Sequence, residues 1–279
     1  MKKYFFVSDI HSCYDALLEA LEENGFDINN QEHVLCVLGD VFDRGHDTIE
    51  VYEFLKSIPD DRLILIKGNH EILYEEVLEL KFPDKTDFTN GTVRTFCTIS
   101  GIDEQYLDPK YWYVHNLFSD EKVNISKQVA YYWDKVKEIV ESSEITQWIK
   151  SKKWVNYFET SNYIFVHSWI PVQEEIKFNS VIVEIGPRED WRNATQFEWD
   201  DAMWGCPYKK AKLGWNITNK TIVCGHWSTS AFFKFFRHEK RDDDDCPIFK
   251  STKYKLIGLD ACTIASGKVN VLVLNEDEL

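Results

Sequence analysis

Residues 34–45 read Val-Leu-Cys-Val-Leu-Gly-Asp-Val-Phe-Asp-Arg-Gly. The apolar run Val34 to Leu38 has the length and continuity of a strand buried on both faces. Two acids and an arginine follow at once, at Asp40, Asp43 and Arg44. In open α/β sheets ligands bind where strands end at their carboxyl edge, so polar groups placed directly after a buried strand point to a site. The same arrangement recurs along the chain. Lys3 to Ser8 leads into Asp9-Ile10-His11, and Leu63 to Ile66 into Gly68-Asn69-His70-Glu71. Tyr163 to Val166 leads into His167, and Thr221 to Cys224 into Gly225-His226.

Between these strands the apolar period changes to that of helices. Tyr14, Leu17, Leu18 and Leu21 form one helical face, and Gly25 stops it. Asp47 and Glu50 predict a capping box, followed by a helix with Ile49, Tyr52, Phe54 and Leu55 inward and Pro59 at its end. Strands alternating with helices predict an α/β fold with a buried, mainly parallel sheet. Residues 71 to about 160 mix charge and aromatics at helical spacing and read as a helical insert. Strands at Leu256 to Leu259 and Val269 to Leu274, with Gly267 between, predict a hairpin. The charge run Arg241 to Asp245 reads as a solvated loop tip.

The 279 residues carry 32 Lys+Arg against 47 Asp+Glu, a net charge of −15, which argues against a nucleic-acid surface or docking to anionic membranes. No apolar run approaches the ~18 residues of a membrane span. The apolar stretch after Lys2-Lys3 ends at Ser8-Asp9, so a secretory signal is not expected. Seven cysteines without a CxxC pair read as reduced thiols of a cytoplasmic protein, Cys13 among them as an inert one.

Asp9, His11, Asp40, Asn69, His167 and His226 offer oxygen and imidazole donors and no thiolate. That set suits Mn, Fe or Zn ions. Two such ions ~3.5–4 Å apart make a clamp for attack at phosphorus by an activated water. A His–Asp pair is a good general acid near neutral pH. His33, His46, His115 and His238 lie outside the clusters. No Gly-x-Ser-x-Gly, Walker A or GxGxxG element is present.

The blocks D-x-H, G-D-x-x-D-R-G and G-N-H-E with two later histidines resemble the phosphoprotein-phosphatase family of binuclear metallophosphoesterases. Trp154 to Ile170 and Gly258-Leu259-Asp260 resemble further family segments. This family includes bacterial and phage serine/threonine phosphatases and symmetrical diadenosine-tetraphosphate hydrolases. The resemblance implies a calcineurin-like four-layer α/β/β/α sandwich, one domain over 1–279 with a helical cap at about 84–160. It implies two divalent cations, manganese first. Asp9, His11 and Asp40 would hold one, and Asp40 as bridge with Asn69, His167 and His226 the other. Arg44 would grip phosphate, His70 would protonate the leaving group, and Asp43 would orient His70. The implied chemistry is hydrolysis of phosphomonoesters, phosphoserine or phosphothreonine in a protein or a small ester, by direct attack of a metal-bridging hydroxide.

Some positions depart from the family. His46 replaces a common proline, Ser168-Trp169 stands where small residues are usual, and Trp227-Ser228 follows Gly225-His226. After Met203-Trp204 the family's second arginine is missing; Arg188, Arg192, Lys209 and Lys210 are the nearby substitutes. Two alternatives follow: a nucleotide hydrolase or phosphodiesterase on the same site, with Trp112, Tyr113, Tyr131, Tyr132 and Trp133 stacking a base, and a non-catalytic binding protein on the same fold.

Overall fold

The computed structural model describes residues 1–107, 121–177 and 181–279. Its first half alternates β1 (Lys3–Val7), α1 (Tyr14–Glu23), β2 (His33–Val37), α2 (Thr48–Ser57), β3 (Leu63–Ile66) and α3 (Asn69–Glu79). A helical stretch follows, with α4 (Lys85–Asn90), α5 (Thr92–Ser100), α6 (Glu121–Ser142) and α7 (Glu144–Ser151). Then come β4 (Trp154–Val155), β5 (Tyr157–Glu159), β6 (Tyr163–Val166), β7 (Val172–Lys177) and β8 (Val181–Pro187). The chain ends with α8 (Gln196–Met203), α9 (Pro207–Lys212), β9 (Thr221–Cys224), α10 (Thr229–Arg237), β10 (Phe249–Ser251), β11 (Leu256–Gly258), α11 (Thr263–Ser266) and β12 (Leu272–Asn275).

One sheet has the order β12-β1-β2-β3-β4 and the other β10-β11-β9-β6-β5, while β7 and β8 form a separate ribbon. Strands β1 to β4 run parallel, as expected from their apolar continuity. Strand alternation divides the core into layers. Phe5 and Val7 of β1 and Leu35 and Val37 of β2 face α1, α2 and the helical stretch. Phe6, Val34, Cys36 and Leu38 point the other way and meet Phe165 and Val223 of the second sheet. Phe6 and Phe165 stack at 3.9 Å between ring centroids. On the far face of the second sheet, Ile164, Val166, Ile222 and Cys224 pack against Trp199, Phe232 and Phe233. The result is the expected helix–sheet–sheet–helix sandwich.

Three local expectations are corrected. β11 and β12 are not a hairpin: β11 pairs with β9 and β10, whereas β12 pairs antiparallel with β1 in the other sheet. The segment around Gly267 carries the chain across the sandwich. Asp47 forms no side-chain cap on α2; its carboxylate accepts from the Tyr14 amide at 3.1 Å and so serves α1. The inward face of α2 is Thr48, Val51, Tyr52 and Leu55, leaving Ile49 exposed. Of the charge run, Asp242 to Asp245 are exposed as expected, whereas Arg241 is half-buried over the Phe233 ring, and all seven cysteines are free. Among the described residues, no helix is long and apolar enough to cross a membrane.

Candidate active site

The loops leaving β1, β2, β3, β6 and β9 bring the predicted polar clusters together. Asp40 lies at their centre, 1% exposed. Its Oδ1 is 3.4 Å from His167 Nε2, and its Oδ2 is 3.7 Å from His11 Nε2 and 3.9 Å from His70 Nε2. One carboxylate therefore turns an oxygen toward each of two groups, His11–Asp40–His70 and Asp40–His167–His226.

The histidine tautomers follow from their partners. His11 Nδ1 lies 3.1 Å from the Phe42 carbonyl and His167 Nδ1 lies 2.8 Å from that of Leu38. A carbonyl only accepts, so each Nδ1 carries the proton and each Nε2 presents a lone pair to the cluster. The His167 lone pair meets Asn69 Oδ1 at 2.8 Å and faces Asp40 Oδ1. His226 Nδ1 adds a further nitrogen 3.2 Å from His167 Nε2, and oxygen and imidazole groups converging in this way fit a borderline divalent cation.

The electrostatics agree. Burial pushes His11 and His167 down, and burial with His167 beside it pushes His226 down to about 3, so all three are neutral at pH 7, the form that could ligate a metal. Burial alone would raise Asp40, but His167, His70, His11 and His226 around it hold it well below the usual carboxylate range. Asp9 is raised, by burial first and then by Asp260 and Asp40. Asp9 stands outside both groups of ligand atoms. Its two oxygens accept from the His226 amide at 3.1 and 2.9 Å, which brings it beside the cluster. A Cβ at Gly225 would collide with that carboxylate, so the residue before His226 has to be glycine.

His70 Nδ1–H donates to Asp43 Oδ2 at 2.8 Å, leaving Nε2 to face the pocket. Burial lowers the His70 pKa, but Asp40 and Asp43 outweigh it and the net direction is upward. Arg44 donates to His11 Nε2 at 2.9 Å and to His70 Nε2 at 3.0 Å. The arginine is exposed, within reach of an entering anion. Asp9, His11, Asp40, Asp43, Arg44 and His226 all have positive φ, between 49° and 72°. Strain of this kind, about 1–3 kcal/mol per residue, persists where the surrounding fold over-determines the backbone.

Three of the four substitutes for the second arginine are engaged elsewhere, while Lys209 is exposed. Arg188 pairs with Asp190 and Glu198, Arg192 with Glu159, and Lys210 with Glu184 at 2.6 Å. Trp133 is fully buried against Phe96 and cannot stack a ligand, while Tyr131 is exposed and Tyr132 lies on Tyr106. Trp112 and Tyr113 lie outside the described residues. Instead Trp204 and Trp227, 49% and 38% exposed, stand edge-on to the His226 ring at 6.2 Å. Trp227 Nε1 donates to the Gly205 carbonyl at 3.1 Å, tying the two loops together.

Sequence reasoning gave no role to Glu71, which is 6% exposed. Its Oε2 accepts from Gly68 N and Asp40 N at 2.7 and 2.9 Å, and its Oε1 from Val41 N at 2.9 Å. Its place next to His70 was the available signal. Asp260, raised to about 6 by burial, accepts from Cys262 N at 2.7 Å. It follows a strand like the other site acids. Thr92 and Thr95, which bond Asp43, had no sequence signal. Cys13 is pushed up to about 11, by burial first and then by Asp47, consistent with an inert thiol.

The family model of calcineurin-like phosphoesterases matches residues 2–229. A symmetrical bis(5'-nucleosyl)-tetraphosphatase of Coxiella burnetii (strain CbuK_Q154) is 22% identical over 93% of this chain and 88% of its own length. One from Buchnera aphidicola (subsp. Acyrthosiphon pisum, strain Tuc7) is 40% identical over 68 residues, 24% of either chain. For a second Buchnera relative (subsp. Baizongia pistaciae, strain Bp), 29% identical, the match spans 47% of this chain and 45% of that one. The chain thus spans less than half the length of these Buchnera relatives. Among solved structures, a cold-active protein tyrosine phosphatase shares the fold at TM-score 0.51 and 18% identity, covering 99% of this chain and 75% of the other. With an extended family match laid over a cluster of this geometry, the chain belongs to the calcineurin-like phosphoesterases and is a metallophosphoesterase.

Proposed function

We propose that the chain hydrolyses a nucleoside polyphosphate of the dinucleoside tetraphosphate type. The observation that carries this is the aromatic rim beside His226. Trp204 and Trp227 are the tryptophans among the exposed large apolar side chains of the described residues, and both adjoin the ligand cluster. Stacking on an aromatic ring is worth about 1–3 kcal/mol per base. A phosphoserine side chain offers nothing to stack. The name of the Coxiella relative, matched over nearly the whole chain, supports the same choice over the phosphoprotein reading.

In this reading His11 and Asp40, with Asp9 beside them, hold one divalent cation, and Asp40, Asn69, His167 and His226 hold the second. When bound, such ions supply an activated water and neutralise charge on the phosphoryl oxygens. Arg44 forks onto a non-bridging oxygen. His70, held by Asp43, gives a proton at Nε2 to the leaving oxygen. No second arginine is needed where the bases anchor the substrate.

The test is a substrate panel with manganese: diadenosine tetraphosphate, inorganic tetraphosphate, a phosphoserine peptide and bis-p-nitrophenyl phosphate. The dinucleotide is expected to exceed the peptide at least tenfold in kcat/KM. Trp204→Ala and Trp227→Ala should each narrow the preference for dinucleotide over inorganic tetraphosphate by about tenfold. A peptide preference, or a preference that ignores both tryptophans, overturns the proposal.

A further inference from the structure

We propose that Thr92 and Thr95, on the first turn of α5, are positioning residues that hold Asp43 so that His70 can deliver its proton. Both threonines are 0% exposed, and Asp43 is 1% exposed. Thr92 Oγ1 donates to Asp43 Oδ2 at 2.7 Å, on the same oxygen that receives His70 Nδ1–H at 2.8 Å. Thr95 Oγ1 donates to Asp43 Oδ1 at 2.7 Å and accepts from Asp43 N at 3.0 Å. At spacing i, i+3 the two hydroxyls share one helix face. They fix the carboxylate at both oxygens and at its own amide.

The same helix also encloses Arg44. Gly91, at φ 90°, packs so closely that a Cβ would collide with the Arg44 amide nitrogen, and Arg94 donates to the Arg44 carbonyl at 2.8 Å. Asp43 and Arg44 have φ of 72° and 60°. This loop is strained, and α5 holds it in place. The helical stretch between β3 and β4 therefore acts on the dyad as well as packing against the sheet.

The inference rests on His70 as proton donor. As the bond from phosphorus to the leaving oxygen breaks, its electron pair stays on that oxygen and His70 Nε2 supplies a proton. Water supplies the oxygen of the new P–O bond, the proton it sheds passes to solvent, and solvent returns a proton to His70 Nε2, while Asp43 keeps its bond to Nδ1–H throughout. Without the hydroxyls, Asp43 can rotate and the His70 ring loses its orientation.

The experiment compares phenyl phosphate with p-nitrophenyl phosphate, whose leaving oxygen departs without protonation. Thr92→Val and Thr95→Val should each raise the kcat ratio of nitrophenyl to phenyl ester about tenfold, with the loss in kcat and not in KM. Thr→Ser at either position should return the ratio to that of the parent. If a valine variant does not fold, Thr→Ala against Thr→Ser gives the same comparison, since both lose the methyl and only alanine loses the hydroxyl. A ratio that stays at the parental value in the valine or alanine variants overturns the inference. His70→Asn keeps the two readings apart. If it leaves the ratio unmoved, the assignment of His70 fails; if it moves the ratio while the threonine variants do not, only the role of α5 fails.

Discussion

Replacing Glu71 by glutamine separates two opposing effects at the centre of the site. The carboxylate accepts three amide hydrogens at 2.7–2.9 Å. Glutamine puts an NH2 donor against at least one of these donors, a cost to the variant that does not itself vary with pH. Against this, burial and then Asp40 push Glu71 from its ordinary 4.5 up to about 7. A carboxyl whose folded pKa is raised is most stabilising below its unfolded pKa, and that stability is lost as pH rises through the folded one. The difference from 4.5 to about 7 corresponds to about 3 kcal/mol, lost mainly between pH 4.5 and 7. Glutamine does not titrate. In chelator, any deficit of the variant should thus shrink by about 3 kcal/mol between pH 4.5 and pH 8. At ~2.1 cal/mol/K of unfolding entropy per residue, a chain this long shifts about 1 °C per 0.6 kcal/mol, so the Tm gap closes by about 5 °C. The lowered histidines His11, His167 and His226 titrate in both proteins and cancel in the difference. Thermal melts from pH 4.5 to 8 with and without manganese measure this. A deficit that is flat or widens with pH refutes the reasoning; with manganese bound the slope should shrink, because cations beside Asp40 favour the ionised form.

Asp40→Asn should lower bound manganese from two ions toward one and cut turnover by at least a hundredfold, measured by elemental analysis and single-substrate kinetics. Arg44→Ala should raise KM for inorganic tetraphosphate about tenfold or more, the equivalent of one charge-assisted fork of about 1.5–3 kcal/mol. Gly225→Ala should weaken manganese binding, read by calorimetry, because its Cβ collides with the Asp9 carboxylate. Excess manganese should raise the Tm of the parent by about 5 °C per ion at a hundredfold excess over Kd, from about 2.7 kcal/mol of linkage.

What the sequence disclosed, and what it did not, follows from which forces are local. The polar clusters of the candidate site were legible because a strand buried on both faces must be continuously apolar, so a polar residue at its carboxyl end stands out. Strand pairing was not legible in the same way. An apolar run announces a strand but not its partner, and β12 joined β1 because that edge of the first sheet was open to it. The threonines of α5 were silent because a hydroxyl on a helix face looks the same whether it meets water or a buried carboxylate. The tryptophan rim was hidden for the converse reason: aromatics dominate cores, and only the packed structure separates Trp133 at 0% exposure from Trp204 at 49%. The glycines of the motifs connect the two kinds of information. Six site residues other than glycine take left-handed backbone, which local preference disfavours, so each loop needs an approach that no side chain obstructs. Gly225 against Asp9 and Gly91 against Arg44 provide it, one inside a motif and one far outside. Strained loops closed over by glycine backbone fix where their carboxylates and imidazoles point, so the requirement for glycine at Gly91 belongs to the chemistry of Asp43 and Arg44 as much as Gly225 belongs to that of Asp9.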